Sequence, residues 1–114
     1  MKSEDKVQQQ IFIWYTNNYC LKHHVPRCNI YSIPNDSSNA IEQMRKVSTG
    51  LQRGVADLEM WHGVNTYYIE IKTDKGVQSQ FQKDWQIRCE DSGRVYVLIR
   101  SLEDFKIFIK KLVY

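Results

Sequence analysis

Two extended stretches flank one short turn in the middle of the chain: Asp57 to Trp61 and Thr66 to Lys72, with Gly63 between them. Glycine adopts the positive φ of a tight hairpin turn without steric cost, so the two stretches predict an antiparallel pair. A turn centred on Gly63-Val64 opposes His62 to Asn65. Stepping back along both strands in that register opposes Asp57 to Glu70. Directly opposed Cβ atoms lie about 4.5–5.5 Å apart, and like charges at that separation repel. A positive partner is needed between them, and a divalent cation with oxygen ligands supplies one. Alternation along the strand puts Lys72 on the face of Glu70. Glu59 falls on that face too, as a surface charge or as a further ligand. All of this depends on register, since a slip of one residue sends Asp57 to the opposite face. An acid pair beside a lysine is also what an ordinary solvated salt-bridge cluster looks like. Spacing alone leaves both readings open.

The remaining pattern surrounds this hairpin with helices and further strands. Ser3 with Glu4 and Asp5 predicts a helix start, and Val7, Ile11, Trp14 and Asn18 carry a helical period from Ser3 to Tyr19. Asn29 to Ile33 reads as a strand, broken at Pro34-Asn35-Asp36. Asn39 to Thr49 reads as a helix with Ile41, Met44, Val47 and Leu51 on one side and Gly50 as its stop. Ser79 to Asp91 is a third helix, with Phe81, Trp85 and Cys89 in a stripe. Ser79 and Gln82 form a capping box at its start. Val95 to Ile99 is continuously apolar and predicts a central strand covered on both faces. Ser101 opens a last helix with Leu102, Phe105, Ile109 and Leu112 inward. The order αβαββαβα predicts an α/β layered domain with a mixed β-sheet flanked by helices.

At 114 residues the chain suits a single domain over 1–114, and its 12% aromatic content argues for a packed core rather than disorder. No apolar run is long enough for a membrane span, and the first residues lack a signal peptide's apolar stretch. No membrane partner and a cytoplasmic location are therefore expected. A net charge of +3 permits a nucleic-acid partner without requiring one. The odd set Cys20, Cys28 and Cys89 suggests reduced thiols. Cys20, His23, His24 and Cys28 lack the spacing of a structural zinc site, and none is expected.

Taken as an ordered string, these residues resemble the VRR-NUC family of the PD-(D/E)XK nuclease superfamily. The matching residues are Glu4 and Gln8 on the first helix, then Ser32-Ile33-Pro34-Asn35, then Arg45. Gly50 to Leu58 follows, resembling the family's Gly-Val-Pro-Asp-Leu, with Ala56 in place of the usual proline. Tyr67 to Lys72 ends in the family's Glu-x-Lys, and Lys75-Gly76, Ser79 and Gln82 follow it. The resemblance spans nearly the whole chain.

It implies a restriction-endonuclease-like fold and hydrolysis of DNA phosphodiester bonds with Mg²⁺ or Mn²⁺. Asp57 and Glu70 would bind the metal, joined by the backbone carbonyl of Ile71, with Glu4 acting through water. Lys72 would orient the attacking water or stabilise developing charge, and Gln82 would join the catalytic group. Gln8, Asn35, Arg45, Arg53 and Lys75 are candidate DNA contacts. Stand-alone proteins of this resemblance are phage or bacterial homodimers that act on branched DNA such as four-way (Holliday) junctions. The aromatic-rich first helix, with Phe12, Trp14, Tyr15 and Tyr19, is a candidate dimer interface. The alternatives are a non-catalytic DNA-binding module that keeps the nuclease fold, and an α/β protein whose acids form a surface cluster.

Overall fold

The computed structural model describes residues 3–20, 29–34 and 39–112. Helix α1 (Ser3–Tyr15) runs into a π-helical turn at Thr16–Cys20. Strand β1 (Ile30–Ser32) precedes α2 (Ala40–Ser48), and the hairpin follows as β2 (Leu58–His62) and β3 (Asn65–Ile71). Helix α3 (Gln80–Asp91), strand β4 (Val95–Ile99) and helix α4 (Leu102–Lys111) complete the order αβαββαβα.

The four strands lie in chain order, with β1, β2 and β3 antiparallel and β4 parallel to β3. The hairpin has the predicted register: His62 pairs with Asn65 and Leu58 with Ile69. Helices α1 and α4 cover one face of the sheet. There Leu58, Met60, Ile69, Ile71 and Ile99 pack with Ile11, Tyr15, Phe105 and Ile109. Helix α3 covers the other face only in part, over a smaller cluster of Ala56, Cys89 and Tyr96 edged by Tyr68 and Trp85.

Several expectations are corrected. The first helix changes to π geometry at Thr16, and Asn18 is an exposed residue whose Nδ2 donates to the Trp14 carbonyl at 2.8 Å. The buried stripe runs through Ile11 and Tyr15 instead. On this helix Tyr15 is fully buried, and the rings of Trp14 and Tyr15 each lie 6.0 Å from Phe105. Strand β4 stands at the sheet's edge, paired with β3 alone among the described strands. Its continuous apolar run reports cover on both faces, Tyr96 toward α3 and Ile99 toward α1 and α4, and not the number of strand neighbours. The apolar side of α2 is exposed, with Ile41 72% and Met44 71% accessible. Cys20 is disulfide-bonded and Cys89 is a free buried thiol, so the expectation of reduced thiols holds only for Cys89 among the described cysteines. His23, His24, Cys28 and Asn35 lie outside the described residues. No described helix is long and apolar enough to cross a membrane.

Candidate active site

Asp57 sits immediately before β2, where its backbone carbonyl accepts from the Ile33 amide at 2.8 Å. That bond continues the β1–β2 ladder past Leu58 and holds Asp57 at the end of the hairpin. Its carboxylate Oδ2 accepts from the Ile71 amide across the strand pair at 2.8 Å. Glu70, opposite in register, is 1% exposed.

The start of α3 closes over Glu70. Ser79 is the N-cap, its Oγ accepting from the Gln82 amide at 3.2 Å, and Gln82 Oε1 accepts from the Ser79 amide at 2.8 Å. The box fixes the Gln82 side chain, and its remaining amide group, Nε2, donates to Glu70 Oε2 at 3.0 Å. One Gln82 side chain thus completes the capping box and contacts Glu70. Gly54 makes this junction possible. Its φ is +84°, and a Cβ there would lie 2.2 Å from the Phe81 carbonyl oxygen and 2.7 Å from the Gln82 nitrogen. The loop carrying Asp57 is therefore pressed against the helix turn carrying Gln82.

Glu70 Oε1 is buried without a hydrogen-bond donor. Burial, and then the neighbouring charge of Asp57, push the Glu70 carboxyl up to about 9. Burial also raises Asp57, partly offset by the Ile71 amide. Lys72 favours the charged form of both carboxyls, and Glu4 disfavours it in both. A solvated salt-bridge cluster would keep both carboxylates in water, whereas here Glu70 is withdrawn from it and Asp57 is half-buried at the cleft. The Lys72 side chain runs past Gly76, where an added Cβ would touch its Cδ at 3.4 Å.

A cleft of about 370 Å³ opens over the pair, lined by Glu4, Asp5 and Gln8 of α1, by Ser32 to Pro34 after β1, and by Val55, Asp57, Glu70 and Gln82. Glu4 and Gln8 thus line the same cleft as Asp57 and Glu70. Arg53 and Lys75 are exposed on the loops before β2 and after β3, and Arg53 lies 5.2 Å from the centre of the Phe81 ring. Arg45 is exposed on α2 beside Ile41 and Glu42, outside the lining of the cleft. Glu59 is held by its neighbours, its Oε2 accepting from Trp61 Nε1 at 3.0 Å and its carboxylate bonded to Tyr68. Arg100 escaped the sequence reading. Its guanidinium NH1 donates to the carbonyls of Thr73 at 2.6 Å and Gly76 at 2.8 Å, pinning the loop after Lys72. A lone arginine after an apolar strand carries no pattern that would have revealed it.

The donor set suits a hard divalent cation. Glu70 Oε1 is an orphaned buried oxygen beside a second carboxylate, and both donors are oxygen. Among the described residues no three His, Cys, Asp or Glu side chains converge closely enough to hold a metal unaided. Backbone oxygen and water would complete the shell, which is the coordination Mg²⁺ favours.

The sequence matches no family model and no curated protein. A solved structure described as a VRR_NUC domain protein superposes with a TM-score of 0.79 over 99% of this chain and 89% of that one, at 19% identity. The chain has a VRR_NUC domain fold. The mixed sheet flanked by helices matches the fold of that structure. Within the VRR_NUC frame, Asp57 and Glu70 occupy the open end of the β2–β3 hairpin, where α1 and α3 meet the sheet.

Proposed function

We propose that the chain is a Mg²⁺- or Mn²⁺-dependent DNA endonuclease that acts on branched DNA, such as a four-way junction, as a homodimer. The observation that carries this reading is the buried Glu70 carboxyl with one orphaned oxygen, opposed to Asp57 and close to Lys72. A buried carboxyl oxygen that accepts from no donor costs stability, and a ligand bound there would satisfy it. Asp57 and Glu70 would hold the cation, with the Ile71 carbonyl and Glu4 through water as further contacts. When bound there, a divalent cation polarises the phosphodiester and acidifies water.

The chain's own residues supply the rest. The Ile71 amide fixes the Asp57 carboxylate, and Gln82 fixes that of Glu70. Lys72 provides a compact positive charge near both, suited to orienting water or to balancing negative charge growing on phosphorus. Gln8 on the α1 wall, Arg53 and Lys75 would contact the DNA backbone. Homodimerisation follows the same logic, because two symmetric sites can cut both strands of a symmetric junction.

The test is cleavage with Mg²⁺ or Mn²⁺ of a labelled four-way junction beside linear duplex and single strand, with Glu70→Gln run in parallel. Paired nicks in the junction, lost in the variant, are expected. Binding without cutting of any substrate would replace this reading with a non-catalytic DNA-binding module.

A further inference from the structure

Helix α3 leaves the β1–β2 end of its sheet face open, and a second groove lies there. Its volume is about 410 Å³, and it shares Ile33 and Val55 with the cleft over Asp57 and Glu70. Its floor is a row across three strands. Tyr31 of β1 pairs with Glu59 of β2, which pairs with Tyr68 of β3. Trp85 of α3 closes one side, its ring 4.9 Å from that of Tyr68 in an edge-on arrangement. On the other side the exposed Tyr31 stands 5.8 Å from Trp61. Between the two aromatic pairs lies the Glu59 carboxylate, oriented by Trp61 Nε1 and bonded to Tyr68. Glu59 lies two residues after Asp57 on the same face, a separation of about 7 Å at the usual strand rise.

We infer that Tyr31, Glu59, Tyr68 and Trp85 form a pocket for one unpaired nucleobase of the DNA strand whose phosphate lies over Asp57 and Glu70. The inference rests on the nuclease reading and extends it to a substrate with an unpaired nucleotide beside the cut. Three features select this occupant. Aromatic faces stack on bases of any identity, and single-strand recognition uses them. A fixed carboxylate accepts from exocyclic amines, so it favours cytosine over thymine, which has none. Positive charge lies next to the groove, where flanking phosphates would pass. Arg53 is on the loop that forms its wall, and Arg88 and Arg94 line a continuation that shares Gln52, Tyr68 and Trp85. A lipid or an apolar peptide would have no use for the oriented carboxylate in its floor.

The test is binding of fluorescein-labelled dC8 and dT8 to the full chain without metal, followed by anisotropy, for the native sequence, Tyr31→Ser and Glu59→Gln. Both substitutions lie at accessible or partly accessible positions, and thermal melts check that each variant folds. Native protein binding dC8 more tightly than dT8 is expected. Tyr31→Ser is expected to weaken both about tenfold, the usual effect of removing one stacking aromatic. Glu59→Gln is expected to erase the dC8 preference and to leave dT8 binding unchanged. Native protein that binds neither oligonucleotide, or variants that bind both as the native chain does, would overturn the pocket. Cleavage of a junction with an unpaired cytosine at the branch, with Glu70→Gln as control, separates the two readings. Cutting that Tyr31→Ser leaves unaltered keeps the nuclease and removes the pocket, whereas binding lost in Tyr31→Ser with no cutting by any form keeps the pocket and removes the nuclease.

Discussion

Gln82 donates to Glu70 across 3.0 Å with the same side chain whose oxygen caps helix α3. A local helix-start motif therefore aims a buried carboxyl. The two roles are separable by substitution. Ser79→Ala removes the other half of the box and leaves the Glu70 contact, whereas Gln82→Ala removes both. Ser79→Ala is expected to cost about 1 kcal/mol in chemical denaturation, and Gln82→Ala about 2–4 kcal/mol because it also strips buried Glu70 of its donor. DNA cleavage should survive Ser79→Ala and fall at least tenfold in Gln82→Ala.

Glu70 makes the metal-free protein sensitive to pH. Its folded carboxyl titrates at about 9, above the ordinary 4.5. Between those values the folded chain holds a proton that the unfolded chain has released. Stability is therefore highest below about pH 4.5 as far as this group is concerned, and it declines as pH rises toward 9. Asp57, also raised, contributes with the same sign. Thermal melts in EDTA should show the decline, and Glu70→Gln should flatten most of it. Added Mn²⁺ should raise the melting temperature of the native chain at neutral pH and not that of the variant.

Gly54→Ala tests the packing of the Asp57 loop on α3. The new Cβ would meet the Phe81 carbonyl oxygen at 2.2 Å, and the backbone φ of +84° disfavours any side chain. A loss of about 2–4 kcal/mol is expected from overlap and strain together. Denaturant titration measures it. Gly63→Ala, whose Cβ would meet nothing within 4 Å, isolates the conformational part.

Arg100 ties the loop after β3 to the strand β4 end through the carbonyls of Thr73 and Gly76. Arg100→Met keeps the aliphatic stem and removes the donors. About 1–3 kcal/mol of stability should be lost. Amide hydrogen exchange should rise selectively across residues 73 to 76, with β2 protection unchanged.

The hairpin register was legible because a short turn at Gly63 and strict alternation leave few ways to pair Leu58–His62 with Asn65–Ile71. The capping box was legible for a similar reason, since its partners lie three residues apart. Element order and the opposition of Asp57 to Glu70 follow from such local rules. What they could not contain is environment. The same alternation that buries Ile69 and Ile71 turns Glu70 away from that core, so a strand pattern alone predicts solvent there. The start of α3 meets the sheet instead and seals Glu70 to 1% exposure, and that burial makes its carboxyl an unusual acid. Helix α2 shows the reverse, an apolar stripe with the period of a core helix whose Ile41 and Met44 stand exposed. Periodicity states which side chains share a face. Whether that face meets water, a helix or a carboxyl depends on contacts between segments far apart in the chain, and here only the tertiary structure decided it.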